Sequence, residues 1–160
     1  MTATAWENSA INHALHFEQL SKGKIILQYN LPAINLAHLK RMTTRTGIVQ
    51  FAKINLPDMH SGYTLDDNAR ALIVAGMHHK LFGDAKSMAH IKTYFSFIKR
   101  CILTSGNFLN YMDTEFRFTE QNYATNLEDS AGRALWALGY FISLKKIVPE
   151  DMVADRKSVV

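Results

Sequence analysis

The feature that most constrains this chain is a ten-residue signature that occurs twice. Tyr63-Thr64-Leu65-Asp66-Asp67-Asn68-Ala69-Arg70-Ala71-Leu72 returns in altered form as Asn126-Leu127-Glu128-Asp129-Ser130-Ala131-Gly132-Arg133-Ala134-Leu135, 63 residues later. In that register Asp66 matches Asp129, Arg70 matches Arg133, and Gly76 matches Gly139. An acid, an arginine four residues on and a glycine ten residues on, seen twice, point to a duplicated structural unit. Repeats of this length that contain two helices form arrays of helical hairpins, each unit burying its apolar face on the next.

The rest of the chain fits that plan. Ala5 to Leu20 reads as a helix, stopped at Ser21-Lys22-Gly23, and Lys24 to Leu31 as a short strand or extended linker ended by Pro32. Asn35 to Met42 is a short helix that ends near Thr46-Gly47. Ile48 to Ala52 is β-rich by composition, and a loop through Pro57, Ser61 and Gly62 leads to the signature helix. That helix is expected from about Asp66 to His79, with a core stripe of Ala69, Leu72, Ile73, Gly76 and Met77. After a break at Gly83-Asp84, Ile91, Phe95, Ile98 and Ile102 mark a longer helix, stopped by Ser105-Gly106. The plan then repeats: Phe108 to Tyr111 mirrors Ile48 to Phe51, and a second signature helix is expected from Asp129 to Lys145. Trp136 is expected in the core. The predicted class is all-α: helical hairpins with short β-ribbons in the loops between helices.

Composition excludes several functions. The net charge of +4 is spread along the chain instead of massed in a stripe, which argues against a nucleic-acid surface. No apolar run reaches the ~20 residues that span a bilayer. Cys101 is the single cysteine, so it has no internal disulfide partner and reads as a buried thiol, with a cytoplasmic setting as the default. Asp58 and His60 are too short a motif for a metal, and neither a metal nor a cofactor is expected. His78 and His79 suit the negative end of a helix dipole.

In combination, these motifs resemble a known family. Leu39-Lys40-Arg41-Met42-Thr43, then Thr46-Gly47-Ile48 and Gln50-Phe51, then Gly62-Tyr63 and Asp66 to Leu72, resemble the start of an α/α-toroid domain of six-hairpin-glycosidase type. Such domains are fused behind bacterial family-4-like (GT-B) glycosyltransferases. Glu128-Asp129-Ser130 with Gly132 to Gly139 is similar to the next block of that domain, departing at Ala131, where the family often has histidine. The Trp6 to Phe17 segment is similar, more loosely, to the closing helix of such a transferase. The resemblance implies a glycosyltransferase remnant over residues 1–31, an incomplete toroid over 32–148 and a tail over 149–160. It also implies a truncated or split product, carbohydrate-active at the toroid mouth, with a saccharide or glycan as partner.

Within the signature, duplication separates two kinds of residue. Asp66, Asp129, Gly76 and Gly139 read as structural, and the Asp66/Arg70 and Asp129/Arg133 pairs as ion pairs one helical turn apart. Asp67 has Ser130 as its repeat partner and Glu128 has Leu65, so duplication explains neither. Together they are the candidate catalytic carboxylates, one acid and one base or nucleophile as glycoside hydrolysis requires; two solvated surface acids is the competing reading. Tyr63, Asn68, Arg70, Tyr111 and Arg133 are the candidate substrate-binding residues, although aromatic residues at helical spacing also build cores. A second function stays open: a non-catalytic interaction module that docks a glycosyltransferase or self-associates as a homo-oligomer.

Overall fold

The computed structural model describes residues 5–22, 24 and 33–144. They divide into two units, Met1–Asn35 and Leu36–Val160. The first contains helix α1 (Ala5–Leu20), which closes with Ser21 N–H donating to the Phe17 carbonyl at 3.0 Å. The linker expected over Lys24 to Leu31, the end of the last helix at Lys145 and the tail lie outside the described residues, apart from Lys24 itself.

The second unit is mostly helical and follows the duplicated plan. Helix α2 (Ala37–Met42) leads through a Thr43–Ile48 bridge to a small antiparallel ribbon, β1 (Ala52–Lys53) with β2 (Leu56–Pro57). Strand β3 (Tyr63–Thr64) opens into helix α3 (Leu65–Phe82), and helix α4 (Ala85–Arg100) folds back on it. An Ile102–Phe108 bridge then repeats the Thr43–Ile48 turn. Strand β4 (Tyr111–Met112), the short helix α5 (Gln121–Ala124) and helix α6 (Glu128–Ser143) complete the second copy. β4 pairs antiparallel with β3, Thr64 opposite Tyr111, and so joins the loops of the two copies.

The start of α3 is set by its own first turn. Thr64 is its N-cap: the hydroxyl accepts from Asp67 N–H at 3.2 Å and donates to the Asp67 carboxylate. The hydroxyl thus satisfies one of the amide groups that the helix start leaves unpaired, and the Asp67 carboxylate fixes the hydroxyl in place. Asp66 and Asp67 also meet the positive end of the helix dipole. The helix stops at Gly83, held left-handed at φ 62°, whose N–H returns to the His79 carbonyl at 2.8 Å. Asp84 then caps α4 by accepting from Lys86 N–H at 2.9 Å.

α3 and α6 run parallel, because their starts meet through Asp66 and Arg133 and their later turns meet at Gly76. A Cβ on Gly76 would stand 2.9 Å from Leu144 Cδ1 and 3.2 Å from Tyr140 Cε1, so any larger residue must displace one or both of these side chains. The core between the helices holds Leu65, Leu72, Ile91, Tyr94, Ile98 and Phe141, and the Phe95 and Phe141 rings stack at 4.7 Å.

Two expectations about the core are corrected. Trp136 is 62 % exposed, and Met77 lies outside the core. α6 and its C-cap bury Ala134, Ala137, Phe141 and Leu144 in the shared core. At about 100° per residue, Trp136 stands a quarter-turn or more off that face. Periodicity identified an apolar residue on a helix but not which faces of that helix are covered.

Candidate functional site

The signature forms a charged joint between two helices. The Arg70 guanidinium contacts Asp66 at 2.8 Å and Asp67 at 2.7 Å on its own helix. Arg133 contacts its own Asp129 at 2.9 Å and crosses to Asp66 at 3.0 Å. Asp66 is therefore shared by two arginines, one from each copy of the signature. Its Oδ1 is buried and lies off the hydrogen-bonding direction of the Arg133 Nε beside it. Burial raises the Asp66 carboxyl above the ordinary aspartate range, against the opposing pull of Arg70 and Arg133. Arg133 is held charged most of all by its bond to Asp129.

Each member of the candidate catalytic pair has its own local partners. Asp67 engages Thr64 and Arg70, while Glu128 is exposed at the start of α6 and accepts from Asn126 at 3.3 Å. Asn68 is wholly buried: it accepts from Ile48 N–H at 3.0 Å and donates to the Thr64 carbonyl at 2.8 Å. Gly47, whose added Cβ would crowd the Asn68 amide and the Phe97 ring at 3.1 Å, lets the segment before Ile48 come close. Tyr63 is buried against Phe97, its hydroxyl 3.1 Å from Thr44 Oγ1. Neither Asn68 nor Tyr63 is a free surface group: Asn68 ties Ile48 to α3, and Tyr63 links Thr44 to Phe97 on α4.

Sequence reasoning missed two further asparagines. Asn122 on α5 is buried and uses its whole amide: Oδ1 accepts from Asn110 N–H at 2.7 Å and Tyr111 N–H at 2.8 Å, and Nδ2 donates to the carbonyls of Tyr111 at 2.7 Å and Thr119 at 2.9 Å. Asn110 in turn accepts from Asp66 N–H at 3.1 Å through its side chain and from Leu65 N–H at 2.8 Å through its carbonyl. The second copy's loop thereby caps the first copy's helix. The only sequence signal was an asparagine inside a β-rich run, a residue type depleted from strands.

Tyr111, the remaining candidate, opens onto a cavity of about 380 Å³ beside the β3–β4 ribbon. Gln50, His60, Glu120 and Gln121 line it with Tyr111 and Asp113. Thr119 also lines it, and its hydroxyl is buried without a hydrogen-bond partner. Asp113 is committed to its own turn. It accepts from Arg117 N–H at 2.9 Å and Glu115 N–H at 2.8 Å and pairs with the Arg117 side chain at 3.0 Å; these bonds, the Arg117 amide foremost, hold its carboxyl below the ordinary range. A second cavity, about 440 Å³, lies between Arg45, Lys92 and Arg100, with the Arg100 guanidinium 5.2 Å over the Phe116 ring. Among the described residues no group of three or more His, Cys, Asp or Glu side chains could hold a metal ion, and no helix is long and apolar enough to cross a membrane.

No family model matches this chain, and no curated protein does. The site therefore rests on its own chemistry. Cys101 offers none: it is buried, and burial pushes its thiol up to about 12, so it is neutral at physiological pH.

Proposed function

We propose that this chain is a saccharide-binding module of a glycosyltransferase system, built as the opening hairpins of an incomplete α/α toroid, and that it binds sugar beside the β3–β4 ribbon. The observation that carries the reading is the 380 Å³ cavity with Tyr111 on its wall and Gln50, His60, Glu120 and Gln121 around it. That volume falls within the ~300–1,000 Å³ of small-ligand sites. A planar ring beside amides and a carboxylate suits a sugar, whose faces are apolar and whose edges carry hydroxyls. The unpartnered Thr119 hydroxyl supplies one further group for such a ligand.

Binding is favoured over cleavage. Glycoside hydrolysis needs two available carboxyl groups, one of them poised as an acid. Asp113 is kept ionised by its turn, and Asp67 is engaged by Thr64 and Arg70.

Titration calorimetry against a panel of oligosaccharides tests this. His60→Ala and Gln121→Ala, both exposed, are each expected to weaken binding by about tenfold, as the loss of one hydrogen bond would, without lowering the unfolding midpoint. Asp67→Asn is expected to leave affinity unchanged. Loss of binding in Asp67→Asn with the cavity variants unaffected would move the site to the start of α3. No saccharide bound at any concentration would end the reading.

A further inference from the structure

The duplication leaves two helix faces open at matched positions. On α3, Ala69, Leu72, Ile73 and Gly76 are buried. Their counterparts 63 residues on, Gly132, Leu135, Trp136 and Gly139, form the exposed side of α6. Leu135 is as exposed as Trp136, and a Cβ on either glycine would meet nothing within 4 Å. The opposite half of the joint is duplicated too. α6 reaches α3 with Arg133, Tyr140 and Leu144. In the same register, α3 carries Arg70, Met77 and Leu81, and Leu81 is 67 % exposed. Among the described residues one helix joint is made, and both halves of a second joint of the same design stand uncovered.

We propose that a second copy of this chain completes that joint, its α3 lying parallel on α6 in the register that α6 adopts on α3. The second copy's Arg70 then reaches Asp129, whose side chain is 79 % exposed, as Arg133 reaches Asp66. Met77 and Leu81 of the second copy lie over Gly139 as Tyr140 and Leu144 lie over Gly76. The arginine stands on one face and the acid on the other, so the contact is head-to-tail. Heterologous contacts of this kind leave a free face on each end and continue beyond two copies, closing into a ring or extending as a chain. Contiguous exposed apolar surface is the usual mark of such a partner face. The proposal does not depend on the saccharide reading.

Sedimentation velocity on the full chain tests it with two variants, Gly139→Gln on one face and Leu81→Glu on the other. The wild type is expected to form species larger than a dimer as concentration rises. Each variant alone is expected to sediment as a monomer with an unfolding midpoint no lower than that of the wild type at concentrations where it too is monomeric. An equimolar mixture of the two is expected to form a one-to-one dimer, because each variant keeps the face the other has lost. A wild type that stays monomeric throughout, as it would if residues 1–35 covered these faces, overturns the proposal. So does assembly that survives both substitutions, or assembly abolished by Gly139→Gln and untouched by Leu81→Glu, which would mean α6 pairing with itself.

Discussion

Replacing Asn122 with alanine should damage this fold more than replacing any charged residue of the signature. Asn122 is buried and makes four hydrogen bonds from one amide. The two carbonyls it serves keep other partners: Tyr111 also accepts from Thr119 N–H at 3.2 Å, and Thr119 from Asn122 N–H at 3.1 Å. The Asn110 and Tyr111 N–H groups, by contrast, both depend on Asn122 Oδ1. Leaving a buried donor unsatisfied costs about 1–3 kcal/mol. Two such donors give a loss of about 2–6 kcal/mol, a large share of the ~5–15 kcal/mol that holds a domain together. Asn122→Asp keeps both acceptor bonds and sets a carboxylate oxygen against two carbonyls, so it should also destabilise, through repulsion instead of orphaned donors. Urea unfolding followed by far-ultraviolet circular dichroism gives the difference, with the slope checked for constancy. Asn122→Ala within about 0.5 kcal/mol of the wild type, the range of ordinary surface changes, would refute the claim that this amide ties the second loop to α3.

Further outcomes follow from the same contacts. Thr64→Ala removes the cap of α3 and should cost about 1 kcal/mol, read by the same denaturation; an unchanged midpoint would mean that Asp67 does not need the hydroxyl. Cys101 should resist thiol reagents at neutral pH until the chain unfolds, and rapid labelling of the folded protein would contradict its burial. Its folded pKa lies above the ordinary value of 9.0, so its contribution to stability is complete below that value and is lost as pH rises from 9.0 toward about 12. A pH titration of the unfolding midpoint should show a larger alkaline loss in the wild type than in Cys101→Ala, which keeps only the loss from buried Tyr94.

Much of the fold was legible in the sequence because its strongest signals are local. The acid, arginine and glycine repeat marks two equivalent helices, Gly83-Asp84 marks the break between α3 and α4, and the paired turns before Ile48 and Phe108 recur as bridges. Covering relationships were not legible. Nothing in the run around Trp136 differs in kind from the run around Ile73, yet one residue is buried and the other exposed. Which face is covered depends on what packs on it, and that is a property of the tertiary fold and not of the helix. The site shows the same divide. Asp67 stands apart from the duplication because its repeat partner is Ser130, and its partners are Thr64 three residues before it and Arg70 three residues after it. Asn110 and Asn122 escaped notice because their partners lie across loops.

The central claim is that the two copies share one helix-joint design, used at α3 and, among the described residues, vacant at α6. The most direct measurement is the unfolding free energy of Gly76→Gln beside that of Gly139→Gln, at concentrations where the chain is monomeric. Glutamine is favoured over glycine in a helix by up to about 1 kcal/mol. Gly139→Gln should therefore be neutral or stabilising by that amount. Gly76→Gln drives a side chain into Leu144 and Tyr140, 2.9 Å and 3.2 Å from its first carbon, and should destabilise by about 1–3 kcal/mol. Equal effects of the same sign at the two glycines would contradict the account.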